Sequence, residues 1–145
     1  ARGPLWQTYS DYKCGTGHGI GFMLNVHEGP QSIRWQYVKD REETILEPGM
    51  LVSDEPGVYV AGSHGIRIEN ILLCVEKAAN ADGEFLAFEP LTYVPVDLEG
   101  IDATIMEESD KKALNQYHRQ VYHKLETYMS EEERRWLKEV TREIL

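Results

Sequence analysis

Four short islands of the chain carry the residue types that hydrolytic chemistry uses. They are Gly15-Thr16-Gly17-His18-Gly19-Ile20-Gly21, Val26-His27-Glu28-Gly29-Pro30, Ser53-Asp54-Glu55-Pro56-Gly57 and Gly65-Ile66-Arg67-Ile68-Glu69-Asn70. Imidazole and carboxylate together suit a hard or borderline divalent metal. Two such ions, about 3.5–4 Å apart, polarise a carbonyl and lower the pKa of a shared water. A bridging glutamate can then accept that water's proton. A single-zinc peptidase is disfavoured, because no HExxH stretch occurs. A phosphate-binding loop is rejected as well: the glycine run lacks the Lys and Ser/Thr ending, and no helical pattern follows it.

Each residue also has a plainer reading. Glu69 lies in what reads as an apolar strand, where alternation puts Arg67 and Glu69 on one face and Ile66, Ile68 and Leu72 on the other. A carboxylate buried there needs a partner or a metal; otherwise it is a salt-bridged or solvent-facing edge residue. Glu55 precedes a proline, which biases it to extended backbone, and Gly57 admits another chain nearby. That is either a solvated turn or a carboxylate held at a fixed angle. His18 taken alone is more often structural than catalytic, and His27, on the same extended stretch, could face a substrate without touching metal. Their ordered company is what raises the chemical reading.

The elements that must position these residues fall into two kinds. Strands are expected at Gly19–Val26, Leu51–Ser53, Gly57–Val60, Ile66–Glu76, Phe85–Phe88 and Leu91–Val96, with Asp82-Gly83 as a hairpin turn. From Ser109 onward, Leu114, Tyr117, Val121, Leu125 and Tyr128 recur at helical spacing, and Ser109 is the expected N-cap. Ser130 and Glu133 have the spacing of a capping box, opening a second helix whose buried side would carry Trp136, Leu137, Val140 and Ile144. The expected class is α+β: a curved antiparallel sheet with a C-terminal helical hairpin, divided at residues 1–96 and 97–145. The opening segment, with Pro4, Leu5, Trp6, Tyr9 and Tyr12, carries more apolar surface than a free N-terminus usually exposes.

Composition sets bounds. A chain of 145 residues, 41% hydrophobic and 28% charged, suits one soluble globular domain. A net charge of −10 argues against a nucleic-acid surface and fits a cytoplasmic enzyme. No apolar run is long enough to span a membrane. Cys14 and Cys74 are too few for a disulfide framework, lack CxxC spacing and are expected to be reduced thiols.

GTGHGIG, VHEGP, DEPG and GIRIEN, in that order, resemble the catalytic domain of the Xaa-Pro aminopeptidases, pita-bread metallopeptidases related to methionine aminopeptidase, prolidase and creatinase. Glu89-Pro90-Leu91-Thr92-Tyr93-Val94-Pro95-Val96 and the helical tail resemble the C-terminal extension of the larger members. The resemblance implies a partial pita-bread fold. It also implies removal of an N-terminal residue that precedes proline, two divalent ions (commonly manganese, with zinc or cobalt as alternatives) and a homodimer. Carried over by motif, His18, Glu55 and Glu69 are metal ligands, Glu69 bridging and Glu55 doubling as general base. His27 contacts substrate and helps stabilise the tetrahedral intermediate, and Arg67 orients a carboxylate. The family's other two ligands are aspartates from an upstream strand. Nothing before His18 supplies them, Asp11 being too close and in the wrong context, so the chain is expected to be part of a catalytic domain and nearly inactive alone. Cys14 stands where the family often has a histidine close to substrate. The neighbouring possibilities are prolidase, a creatinase-like hydrolase, or a non-catalytic module that keeps the fold.

Overall fold

The computed structural model describes residues 1–36, 39 and 44–145, and places them in two compact units, Ala1–Thr92 and Tyr93–Leu145. Both carry short elements, antiparallel strands in the first and helices in the second. Among the described residues no helix is long and apolar enough to cross a membrane.

The first unit opens on a short helix, α1 (Gly3–Gln7), with Pro4 in its first turn, where the missing amide proton costs nothing. Of the aromatic residues in the opening segment, Tyr12 is buried, whereas Trp6 and Tyr9 are exposed. Arg2 holds the segment down: its guanidinium lies 3.8 Å from the centroid of the Tyr12 ring, pairs with Asp11 and donates to the carbonyls of Tyr12 and Cys14.

Seven strands follow among the described residues. β1 (Gly17–His18) pairs with β2 (Ser32–Ile33), with His18 opposite Ser32. β3 (Leu51–Asp54) pairs with β6 (Asn70–Asn80), and β6 pairs with β7 (Gly83–Pro90). β4 (Gly57–Val60) and β5 (His64–Arg67) form a separate hairpin. All pairings are antiparallel. The β6–β7 turn is Ala81-Asp82, closed by the Asp82 amide donating to Asn80 Oδ1 at 2.8 Å; Gly83, at φ 134°, is already the first ladder residue.

Three expected strands come out differently. Gly19–Val26 is a loop: Gly19 makes one isolated bridge to Val52, and Met23 and Leu24 both sit at positive φ in a turn closed between Gly21 and Asn25. The turn lets Glu28 donate back to the Gly19 carbonyl, and it leaves the apolar run from Phe22 to Leu24 in solvent. Ile66–Glu76 is two strands, not one. Arg67 ends β5 and Asn70 begins β6, so the alternation expected across Ile68 and Glu69 is interrupted. Ile66, Ile68 and Glu69 are exposed, and no burial of Glu69 has to be offset. Leu91–Val96 has no ladder; part of it is held by side chains, Tyr117 Oη meeting both backbone groups of Val94 and His118 Nε2 accepting from the Val96 amide at 3.0 Å.

In the second unit α2 spans Glu108–Leu125 and α3 spans Glu131–Val140, joined through a single 3-10 turn at Glu126–Tyr128. Ser109 is not the cap of α2. Glu107 occupies that place, its carbonyl accepting from the Asp110 and Lys111 amides, while Glu108 and Asp110 face the positive end of the helix dipole. Ser130 and Glu133 do form the capping box. The inward stripe of α3 runs through buried Leu137 and half-buried Val140 to Thr141, the buried residue that follows the helix. Trp136, one residue and so about 100° off that stripe, is 55% exposed instead of buried. Ile144 lies beyond the helix, clasped by the Asn115 carboxamide through both its amide and its carbonyl.

His118 is the most deeply buried polar residue described in this unit. Its Nε2 must stay unprotonated to accept from Val96. Nδ1 is also buried and makes no hydrogen bond of full geometry among the described residues, although the Arg142 carbonyl lies close enough to favour the proton. Burial outweighs that carbonyl and holds the imidazole pKa below its ordinary 6.5. The unfolded chain therefore binds the proton more readily. Stability contributed here is present above the ordinary imidazole range and is lost as pH falls through it to the depressed folded value. Thermal melts from pH 7.5 to 5 should show this unit softening with acid, and His118→Gln, which can still accept from Val96, should flatten the slope. An equal slope in both proteins would show that His118 is not the group responsible.

Candidate metal centre

The site is built where β1 crosses β3. Glycine flanks His18 on both sides because neither neighbour has room for a side chain. A Cβ on Gly17 would lie 1.9 Å from the Ser53 carbonyl oxygen, and one on Gly19 would lie 2.1 Å from that of Glu28. The chain can thus thread between β3 and the returning segment, carrying His18 to the end of β3. There the Ser53 hydroxyl oxygen accepts from the His18 amide at 3.0 Å, and Glu55, one residue past the strand, donates its own amide to the Thr16 carbonyl at 2.7 Å.

Two registers bring in the rest. Asp54 faces Asn70 in the β3–β6 ladder, so Glu55 and Glu69 each lie one residue beyond the same terminal pair. Gly57 faces Arg67 in the β4–β5 hairpin, which returns Arg67 to a point two residues from Glu55. Burial of Asp54 beside this end raises its carboxyl pKa above the ordinary value, the distant N-terminal charge opposing weakly.

The result is a compact cluster. His18 Nε2 lies 2.8 Å from Glu55 Oε1, which also accepts from the Ser53 hydroxyl at 2.9 Å, and Glu55 Oε2 lies 3.3 Å from Arg67 Nη1. Glu55 is 13% exposed and His18 25%. The His27 ring stacks on that of His18, centroids 4.0 Å apart and planes tilted 37°, despite the turn that separates them in sequence. Partial burial works against the Arg67 charge, but Tyr59, Glu55 and Glu69 outweigh it and raise the guanidinium pKa. Glu69 itself is exposed and makes no short ion pair among the described residues; its charge reaches the cluster through Arg67. Cys14 lies along the cleft beside His18.

The donor set can be tested against a cation. His18 Nδ1 lies 2.9 Å from the Gly19 carbonyl. A carbonyl cannot donate, so Nδ1 carries the proton, and in the neutral ring the Nε2 lone pair then faces a carboxylate oxygen. Two electron-rich atoms at 2.8 Å repel unless a positive charge lies between or beside them. Two ligands of one cation, each bonded at about 2.0–2.2 Å, sit about 3 Å apart at a right angle. The His18–Glu55 edge therefore fits a divalent ion, with the Gly19 carbonyl acting as the outer partner that fixes the tautomer. Among the described residues, no three His, Cys, Asp or Glu side chains converge closely enough to hold a metal by themselves. Sequence reasoning missed Ser53 and Tyr59. Ser53 was visible only as the residue two before Glu55, and its role depends on a crossing that sequence does not reveal.

An antiparallel α+β scaffold presenting histidine and carboxylates along its strands points to the pita-bread class of fold, and comparison with known proteins bears this out. Residues 1–76 match the family model "Metallopeptidase family M24" and residues 84–144 match "C-terminal region of peptidase M24"; the chain belongs to metallopeptidase family M24. It is 44% identical over 146 residues to a probable Xaa-Pro aminopeptidase P of Coprinopsis cinerea, covering 97% of this chain and 23% of that protein. It is 45% identical over 151 residues to the corresponding protein of Paracoccidioides brasiliensis (strain Pb03), covering 99% and 24%. The solved structure of X-prolyl aminopeptidase from Caenorhabditis elegans, described as a cytosolic enzyme with a di-nuclear active site, superposes with a TM-score of 0.82 at 36% identity, over 99% of this chain and 23% of that one. The fold is the pita-bread fold. The chain spans about a quarter of the length of the relatives it matches.

Proposed function

We propose that the chain supplies one wall of the active site of a metal-dependent Xaa-Pro aminopeptidase. The observation that carries this reading is the His18–Glu55 edge, an imidazole nitrogen 2.8 Å from a carboxylate oxygen in a half-buried site. Its relatives' names supply the substrate class: peptides with proline in second position. His18, Glu55 and Glu69 are the metal-holding residues, two divalent ions being the expected complement and manganese our choice between them. When bound, those ions polarise the scissile carbonyl and acidify water.

The chain's own residues have separate tasks. Glu55 takes the proton of the attacking water, since Ser53 and Arg67 fix both of its oxygens and leave its orientation settled. Arg67, its own charge favoured by Tyr59, Glu55 and Glu69, faces Glu55 Oε2 and orients it. His27, exposed at the rim and stacked on His18, is placed to hydrogen-bond substrate. Functionally we divide the chain at residues 1–96, the catalytic part, and 97–145, the helical extension, and we assign the protein to a cytoplasmic homodimer.

The two aspartate ligands implied by the family have no counterpart before His18, so assays belong on the whole protein. It should cleave Xaa-Pro-containing tripeptides and longer peptides, and lose that activity to a chelator. Cleavage of Xaa-Pro dipeptides alone would favour a prolidase; no bound divalent ion by metal analysis would favour a non-catalytic module. His18→Ala should weaken divalent-ion binding by at least about 10- to 100-fold, the loss that even outer-shell changes produce. Undiminished metal content by mass spectrometry would remove His18 from the ligand set.

A further inference from the structure

Against a chain of 25 acidic and 15 basic residues, the cleft beside His18 has the opposite sign. It encloses about 400 Å³, enough for a short peptide segment, and among the described residues that line it are Arg2, Lys13 and Arg34 with no aspartate or glutamate. The three cations are not equivalent. Arg2 is 7% exposed and already answered by Asp11. Lys13 and Arg34 have no ion-pair partner among the described residues. Arg34 is nonetheless fixed in direction, because Nε donates to the Ser32 hydroxyl oxygen at 2.8 Å and Nη2 approaches the same atom. Ser32 is the ladder partner of His18, so the guanidinium is anchored on the strand beside the catalytic wall. Trp35 closes the cleft with a flat ring held edge-to-face by Trp6 at 6.5 Å and by the Arg2 guanidinium at 5.3 Å.

Resting on the peptidase reading, we propose that this cleft is a subsite for an anionic group of the peptide, the carboxylate pairing with Arg34 and supported by Lys13. The sign of the charge also fixes which part of the peptide enters. An aminopeptidase substrate has one residue before the scissile bond, and that residue carries an α-ammonium group, which this cleft repels. The segment after proline is the part that fits: an acidic side chain there, or the terminal carboxylate of a short peptide. Arg34 offers a pre-oriented fork suited to a carboxylate, with one terminal nitrogen not engaged by Ser32.

The test is titration calorimetry of the protein in EDTA, so that the peptides stay intact. Gly-Pro-Glu-amide should bind about tenfold more tightly than the isosteric Gly-Pro-Gln-amide, the gain of one charge-assisted hydrogen bond. Arg34→Gln should bring the two within about twofold, while Arg34→Lys keeps most of the difference; far-UV circular dichroism checks that both variants fold. A gain seen instead for Gly-Pro-Ala over its amide supports the subsite equally and assigns the anion to the chain terminus. Equal binding of each acid and its neutral partner, no binding of any, or a preference that survives Arg34→Gln overturns the proposal. Restoring metal then separates the two readings, since charge preference without Xaa-Pro cleavage rejects the peptidase reading and keeps the subsite.

Discussion

Glu55→Gln in the whole protein is expected to lower kcat by about three orders of magnitude, within the range that removal of a positioned general base produces, with little change in the melting temperature. The replacement keeps the shape of the side chain, so the backbone of the β3 end is undisturbed, although the one oxygen Oε1 both accepts from the Ser53 hydroxyl and faces His18. Two things are lost. The amide has no useful basicity, so it cannot take a proton from water. It also presents an N–H either to Arg67, where it repels, or to the His18 lone pair, where it forms a hydrogen bond and occupies the atom assigned to metal. The second arrangement is the more stable, and it predicts weaker divalent-ion binding alongside the fall in kcat. Steady-state kinetics with metal titration checks both. An unchanged kcat at saturating metal would remove Glu55 from the chemistry, whatever happened to affinity.

The proposed metal residues and the general base could be named from sequence because their types are rare together and their order is informative. Alternation and turn chemistry also placed β4 and the β6–β7 hairpin, since both are local: one apolar run between glycines, and one Asp-Gly signal of which Asp82 lies in the turn and Gly83 opens the ladder. The failures share a cause. Phe22, Met23 and Leu24 have strand-like side chains, but the run falls in a turn that brings His27 back onto His18, and Met23 and Leu24 at positive φ leave no local trace. The break at Ile68 and Glu69 is set by two different partners, β4 for the residues before it and β3 for those after. Leu91–Val96 is extended like a strand, yet the backbone groups of Val94 and Val96 that are satisfied meet side chains of α2 and not a ladder. Sequence therefore singled out groups that the fold brings together better than it conveyed the paths that do so. His118 is the sharpest omission: it falls four residues after Leu114 and three before Val121, on the expected apolar face, where a polar ring carries no signal that it will be buried.

The glycines around His18 make a second strong prediction, and a controlled one. Gly17→Ala should destabilise the first unit by about 3 kcal/mol, the upper part of the usual range for overpacking, because the new methyl would meet backbone rather than a movable side chain. Its nearest neighbours are the Ser53 carbonyl oxygen at 1.9 Å and the carbonyl carbon at 3.0 Å, with Ile33 Cδ1 at 3.3 Å on the other side. Relief requires β1 to move off β3. That motion stretches the hydrogen bond from the His18 amide to Ser53 and draws Nε2 away from Glu55. A displacement of about 1 Å at a reacting group costs about 100-fold in rate, so the variant should lose activity even at temperatures where it stays folded. Gly15→Ala is the matched control, two residues earlier in the same run, with nothing within 4 Å of its new Cβ and no left-handed backbone to strain. Urea melts and kinetics on the pair settle the matter. If Gly17→Ala were as stable and as active as Gly15→Ala, the close crossing of β1 over β3 could not be what positions His18.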